Sequence, residues 1–236
     1  MKSEKFWNAR KRFSHIAGKP LGVPIRIHYS VYLTLLLFAI YGLVKNVDYS
    51  NPWPDLLGEG IFLLFLTTIF ASILLHELGH SVVASILKRK VTGIIIYPLF
   101  GGTVFKHTRS SSPGNDFLIA NAGPLMNFAI AGILSHLNSL NFINAIAEVN
   151  IWIGCLNLMP LWPLDGGRIL KSLLALKGWR HTKINRIMLN SSRLSALGMG
   201  LTAFTSRDYL SLIFIAFLLL IAHAEFSKSN DKPSKE

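Results

Sequence analysis

Hydrophobic residues in this chain fall into long unbroken runs separated by short polar stretches. Ile27–Val44 and Gly60–His76 contain no Asp, Glu, Lys or Arg, and neither do Phe117–Leu137 and Tyr209–Ala222. A membrane-crossing helix needs about 20 mainly apolar residues, so these runs predict membrane spans. Six are predicted, at about 28–44, 59–88, 116–137, 141–162, 186–205 and 208–226. The fifth has the weakest pattern, because Asn185, Arg186, Asn190, Ser191, Ser192 and Arg193 interrupt it. Between the second and third spans, Val91–Phe105 is rich in β-branched and aromatic residues around Gly101–Gly102. That pattern predicts a β-hairpin with a tight glycine turn. A hairpin beside lipid must have its edges covered. It reads either as a buried connector or as a sheet edge able to hydrogen-bond an unwound peptide. The expected fold class is an all-α polytopic membrane protein with about six transmembrane helices and a small membrane-associated β-hairpin at 91–105. A basic tail (1–27) and a polar tail (227–236) flank the core at 28–226.

Composition agrees with lipid. Of the 236 residues, 51% are hydrophobic and only 15% charged, against about 25% charged in soluble domains. The net charge of +12 invites a nucleic-acid partner, but its placement argues otherwise. Lys and Arg number seven in 1–27, five in 88–115, six in 165–186 and three after 227, which is 21 of 24 on one predicted face. The predicted outer loops hold only Lys45 and Arg207. This is the positive-inside pattern, and it accounts for the basicity with no nucleic acid. Both termini are then cytoplasmic, and a multi-pass protein of the cell (inner) membrane is expected. No small-residue cleavage site follows the first apolar run, so residues 1–20 read as an uncleaved cytoplasmic tail. Internal repeats and low-complexity tracts are absent from the sequence. A single cysteine, Cys155, supports neither an intramolecular disulfide nor a thiolate zinc site, and it reads as a small buried apolar residue.

The second span carries His76-Glu77-Leu78-Gly79-His80. Residues four apart share a helix face, so both imidazoles can point at one metal. Glu77 follows the first ligand and can take a proton from a metal-activated water. Ionisable residues are costly within a membrane helix and usually functional there. A catalytic zinc site takes three protein ligands and keeps one position open, so a third must come from elsewhere. Asp165 is the candidate, in the run Asn157-Leu-Met-Pro-Leu-Trp-Pro-Leu-Asp165-Gly-Gly-Arg168. Pro160 and Pro163 would break the fourth span, and Gly166–Gly167 would let the backbone bend. An N-cap Asp ahead of the amphipathic stretch Arg168–Leu176 is an equally good reading from spacing. Predicted topology puts the ends of the second and fourth spans on the cytoplasmic side, so the three side chains would share one depth.

Three motifs together make the chain resemble the site-2 proteases, membrane-embedded zinc metalloproteases of regulated intramembrane proteolysis. They are His-Glu-Leu-Gly-His at 76–80, Asn-Ala-Gly-Pro-Leu-Met-Asn at 121–127, and the Asn157–Gly167 run. In order along the chain, they span roughly 40% of it. The resemblance implies one Zn2+ per chain held by His76, His80 and Asp165, with Glu77 as catalytic base. It also implies that Asn127, in the Gly123-Pro124-x-x-Asn127 element, lines the site and holds substrate or a reacting oxygen. A helix–helix hydrogen bond is the plainer reading of that Asn. Zinc-activated water would then hydrolyse a peptide bond in or near a transmembrane segment, with a single-span membrane protein or signal peptide as substrate. The expected chain has neither a PDZ module nor a cystathionine-β-synthase-type regulatory domain.

Other functions compete. Intramembrane His and Glu also mark metal or proton transporters, though those favour a second polar cluster and inverted repeats. A non-proteolytic scaffold of the same fold would be expected to break one of the motifs. A prenyl-protein endopeptidase fits the Asp-Gly-Gly run less well. Glu148, the odd charge in the fourth span, falls toward the outer half, away from the motifs. His136 and His223 read as span-end or interhelical residues. His15, His28, His107 and His181 show no ligand spacing. Trp53, Trp152, Trp162 and Trp179 suit an interfacial belt or packing. Arg168 reads as a neighbour tuning Asp165 or as a helix-end snorkel.

Overall fold

Short β-branched segments become strands and the long apolar runs become helices. The computed structural model describes residues 13–19, 22–44, 59–97, 101–105, 112–136 and 141–227. In chain order these form β1 (Ser14–Gly18), β2 (Ile25–His28), α1 (Tyr29–Val44), α2 (Glu59–Ile86), β3 (Val91–Ile96) and β4 (Gly101–Phe105). There follow α3 (Pro113–His136), α4 (Asn141–Asn157), α5 (Asp165–Leu176), α6 (His181–Thr205) and α7 (Tyr209–Ser227). The fold is therefore mostly helical with a small sheet. Helices stand at all six predicted span positions. Among the described residues, however, only Leu66–Ile86 and Pro113–His136 combine the length and apolarity to cross a membrane, and Ser211–Phe226 is a shorter apolar helix. Among the described residues, helix length and composition thus support two of the six expected spans as crossing candidates.

The predicted hairpin exists, but it is half of a larger object. β3 and β4 pair antiparallel, with Ile94 opposite Thr103 and Ile96 opposite Gly101. β3 also pairs in parallel with β2 (Ile25 with Ile94, Ile27 with Ile96), and β2 pairs antiparallel with β1, giving a four-stranded sheet ordered β1-β2-β3-β4. Residues 14–18 and 25–28, within the segment expected as a basic tail, are strands. Parallel pairing joins segments far apart in sequence, and a four-residue strand carries too little alternation to announce itself. Arg26 ties the first two strands together. Its Nε donates to Ser14 Oγ at 2.9 Å and its Nη2 to the Ser14 carbonyl at 2.8 Å. Residues 1–12, the outer loop 45–58 with Trp53, His107 and residues 228–236 of the polar tail lie outside the described residues.

The chain divides into two compact units, Met1–Arg109 with Met126–Ile153, and Ser110–Leu125 with Gly154–Glu236. In the first, the buried face of the sheet packs on α2. Val23, Ile25, Ile94 and Ile96 meet Ile73, with Ile69, Phe70, Leu74 and Leu78 around them. Burying such an aliphatic side chain contributes about 1.5–3 kcal/mol. This packing presses the sheet against the helix that carries the His-Glu-x-x-His motif.

In the second unit, α4 gives way to a turn at 158–164 before α5 begins at Asp165. The proline run ends the helix as expected. The two glycines act differently from the expectation. Gly166 and Gly167 are buried and helical, in the first turn of α5. A Cβ on Gly166 would land on the carbonyls of Leu158 and Met159, and one on Gly167 would press the Leu161–Trp162 backbone. Their value is close packing of α5 on the preceding turn. Ser192, one of the polar residues that weakened the fifth span, is fully buried and accepts the Trp162 backbone N–H at 3.1 Å. In the same unit, Leu161, Ala196, Ala203, Ile215 and Leu218 form one apolar cluster, and Leu174, Ile184, Met188 and Phe226 another.

Gly166→Ala should therefore be far more disruptive than a helix-favouring substitution would suggest. Overpacking of a tight site costs about 1–3 kcal/mol or more. The expected outcome is a clear drop in the thermal unfolding midpoint of the detergent-purified protein. An unchanged midpoint would contradict the close-packing account.

Candidate metal centre

Helix α2 places His76, Glu77 and His80 on its buried side, at 4%, 6% and 2% exposure. α3 supplies a hydrogen-bond partner to His76 and β4 one to Glu77. The two imidazoles approach edge to face, with ring centroids 4.8 Å apart and planes at 85°. Their Nε2 atoms lie 3.2 Å apart. Two imidazole nitrogens bound at about 2.0–2.1 Å in a tetrahedral shell are separated by roughly 3.3 Å. The pair is thus spaced as two ligands of one ion.

The other nitrogen of His76 decides its chemistry. Nδ1 lies 2.5 Å from Asn127 Oδ1. An amide oxygen only accepts, so Nδ1 carries the hydrogen. In the neutral ring Nε2 then presents its lone pair toward His80. Metal-binding histidines are commonly held this way, their second nitrogen donating to an oxygen that fixes tautomer and ring plane. Asn127 is fully buried. Besides accepting from His76, its Nδ2 donates to Asn150 Oδ1 at 2.8 Å. The structure therefore brings Asn127 to the centre as a partner of His76, the interhelical hydrogen bond that was its plainer reading.

Glu77 is held from the sheet. Thr103 Oγ1 lies 2.6 Å from Glu77 Oε2 and 3.2 Å from the Glu77 carbonyl, so its single hydrogen goes to the carboxylate. Gly101, on the same strand, faces the same side chain. A Cβ there would sit 2.5 Å from Glu77 Cγ and 2.8 Å from Oε1. The glycine expected to make a turn is thus a strand residue that leaves room for the carboxylate.

Asp165 belongs to the second unit and is buried at 5% exposure. Its reading as an N-cap does not hold, since the cap position is Leu164 and no side chain caps that end. Asp165 Oδ1 accepts from Arg168 Nη1 at 3.2 Å. His76, His80 and Asp165 each offer one buried donor atom for a metal. A donor set of two imidazoles and one carboxylate suits zinc.

Sequence reasoning missed three residues at the centre, Thr103, Asn150 and Ser72. Asn150 had a usable signal, as a polar side chain within a predicted span. The nearby Glu148 drew attention as a full charge, yet it is exposed, whereas Asn150 is 1% exposed. Cys155 is also exposed, against expectation. Thr103 carried no signal beyond its place in the hairpin.

Comparison with known proteins follows the same outline. Residues 64–141 and 134–199 match the family model "Peptidase family M50". The chain is similar to zinc metalloprotease MJ0392 of Methanocaldococcus jannaschii, 29% identical over 215 residues, covering 88% of this chain and 59% of that one. It is also similar to the putative zinc metalloprotease Rip3 of Mycobacterium tuberculosis, 29% identical over 225 residues, covering 85% and 54%. Among solved structures, it resembles the site-2 protease from Methanocaldococcus jannaschii. That match has a TM-score of 0.64 and 26% identity, and covers 95% of this chain and 98% of that one. The chain spans little more than half the length of these curated relatives.

Removing the oxygen that holds His76 should loosen the centre. For Asn127→Leu a 10- to 100-fold loss of zinc affinity is expected, the usual range of roughly one to two decades when such a supporting partner is deleted. Chelator competition on the purified protein measures it, and an affinity equal to wild type would contradict the assignment.

Proposed function

Because the chain belongs to peptidase family M50, the site-2 protease family, we propose that it is an intramembrane zinc metalloendopeptidase. The observation that carries this reading is the buried pair His76 and His80, with Nε2 atoms 3.2 Å apart, one residue from a carboxylate gripped by the sheet. His76, His80 and Asp165 are the proposed ligands of one zinc ion, and the names of the two curated relatives support the choice of metal.

Zinc, when bound, would supply Lewis-acid polarisation of the scissile carbonyl and a water acidic enough to react near neutral pH. The chain's own residues do the rest. Glu77 takes a proton from the attacking water and returns it to the leaving amine as the C–N bond breaks, so that water is divided between the two products. Thr103 holds one carboxylate oxygen and Gly101 gives the other room, which keeps the base in one rotamer. Asn127 keeps His76 in the tautomer that leaves Nε2 available.

The proposed substrate is a transmembrane segment of a single-span protein or a leftover signal peptide. Its helix hides the scissile carbonyls, so it must unwind before cleavage. β4 pairs with β3 on one side and, among the described residues, ends the sheet on the other, so its outer edge offers main-chain partners to an extended peptide. That edge lies on the strand whose Thr103 holds Glu77.

The proposed setting is a multi-pass protein of the cell membrane with both termini cytoplasmic. The one-sided distribution of Lys and Arg supports it. So does α6, where Leu194, Leu197, Leu201 and Phe204 are 72%, 61%, 58% and 69% exposed, an outward apolar face suited to lipid.

The test is co-expression of a single-span reporter with wild type and Glu77→Gln. Loss of the base should reduce cleavage at least about 100-fold, with zinc retained at one per chain. Undiminished hydrolysis by Glu77→Gln would sink the assignment. Gly101→Ala, which crowds the carboxylate, should lower kcat with little change in zinc affinity. A Gly101→Ala enzyme of normal kcat would show that the room at this position is not needed.

A further inference from the structure

Behind the metal centre, within the first unit, a chain of buried amides leads away from His76. Asn127 Nδ2 donates to Asn150 Oδ1 at 2.8 Å and approaches the Ser72 carbonyl at 3.4 Å. Asn150 Nδ2 donates to the Ile146 carbonyl at 2.9 Å and to Ser72 Oγ at 3.0 Å. Asn127, Asn150 and Ser72 are 0%, 1% and 2% exposed. An Asn side chain can present either its oxygen or its nitrogen in a given direction, and only its partners decide which. The partners here settle it from the far end. A backbone carbonyl only accepts, so Ile146 requires the nitrogen of Asn150 on its side. That turns the Asn150 oxygen toward Asn127, which requires the Asn127 nitrogen there. The Asn127 oxygen is then left for His76 Nδ1–H, at 2.5 Å. Flipping either amide would place nitrogen against donor and oxygen against acceptor, and buried mispaired groups cost about 1–3 kcal/mol each.

We propose that Asn150 is a positioning residue of the metal centre: its side chain orients the Asn127 amide, and through it sets the tautomer and ring plane of His76. This rests on the reading of His76 as a metal ligand and adds a residue outside the three motifs. The relay runs from α4 through α3 to α2, so the ligand's protonation pattern is anchored in the backbone of a neighbouring helix.

The proposal has a signature that simple packing does not share. A carboxylate has two equivalent oxygens and needs no orienting. In an Asn127→Asp background His76 keeps an acceptor for Nδ1–H, and Asn150 has nothing left to orient. Zinc affinity of the full chain in detergent, read by competition with a chelator, is measured for Asn150→Leu in both backgrounds. With Asn127 present, Asn150→Leu should weaken zinc about 10-fold, the low end for an outer partner of a ligating histidine. In the Asn127→Asp background the same change should cost less than about 2-fold, because the outer partner no longer sets the ligand's acceptor. Equal losses in the two backgrounds, or no loss in either, would overturn the role of Asn150. If Asn150→Leu does not fold, Asn150→Ala takes its place, since it deletes the same acceptor with a side chain that fits. A zinc affinity left unchanged by His76→Ala in the otherwise unaltered chain would overturn both the proposal and the metal reading beneath it.

Discussion

Every polar side chain that α2 buries must find a partner, and that requirement organises the first unit. Two imidazoles and a carboxylate stand within five residues of one helix, all shielded from solvent. Buried without partners, each would cost several kcal/mol. The sheet supplies Thr103 to Glu77, α3 supplies Asn127 to His76, and α4 supplies Asn150 to Asn127. The Nε2 atoms of His76 and His80 lie 3.2 Å apart, the spacing of two ligands on one metal ion.

The same requirement explains features that looked like loose structure. Gly101 lies under Glu77 because any side chain would collide with the carboxylate. In the second unit, Ser192 interrupts an apolar helix because the turn ahead of Asp165 has a backbone N–H to satisfy. Gly166 and Gly167 set the start of α5 tightly against that turn, which fixes where Asp165 emerges. Small or polar residues that weaken a hydropathy pattern are, in this fold, the ones that position chemistry.

Much of this was legible in the sequence, and the reasons are local. Helical periodicity placed His76 and His80 on one face, and the prolines at 160 and 163 ended α4. The apolar runs gave every long helix to within a few residues. What was not legible depended on partners distant in the chain. β2 becomes a strand because β3 is there to pair with it, and β1 because β2 is, so a basic segment read as a tail. Thr103 matters only because β4 passes Glu77. Asn150 matters only because Asn127 faces it, while the full charge of Glu148 drew notice and lies at the surface. Of the six spans that hydropathy placed, two stand among the described residues as helices long and apolar enough to cross a membrane.

The central claim is that two imidazoles of α2 and the carboxylate of Asp165 hold one zinc ion. X-ray absorption at the zinc edge of the detergent-purified chain tests it most directly. The account predicts one zinc per chain in a shell of nitrogen and oxygen at about 2.0–2.2 Å, with no sulfur. His80→Ala should remove one imidazole's scattering, and Asp165→Ala one oxygen. A chain without stoichiometric zinc, or a shell that neither substitution alters, would contradict it.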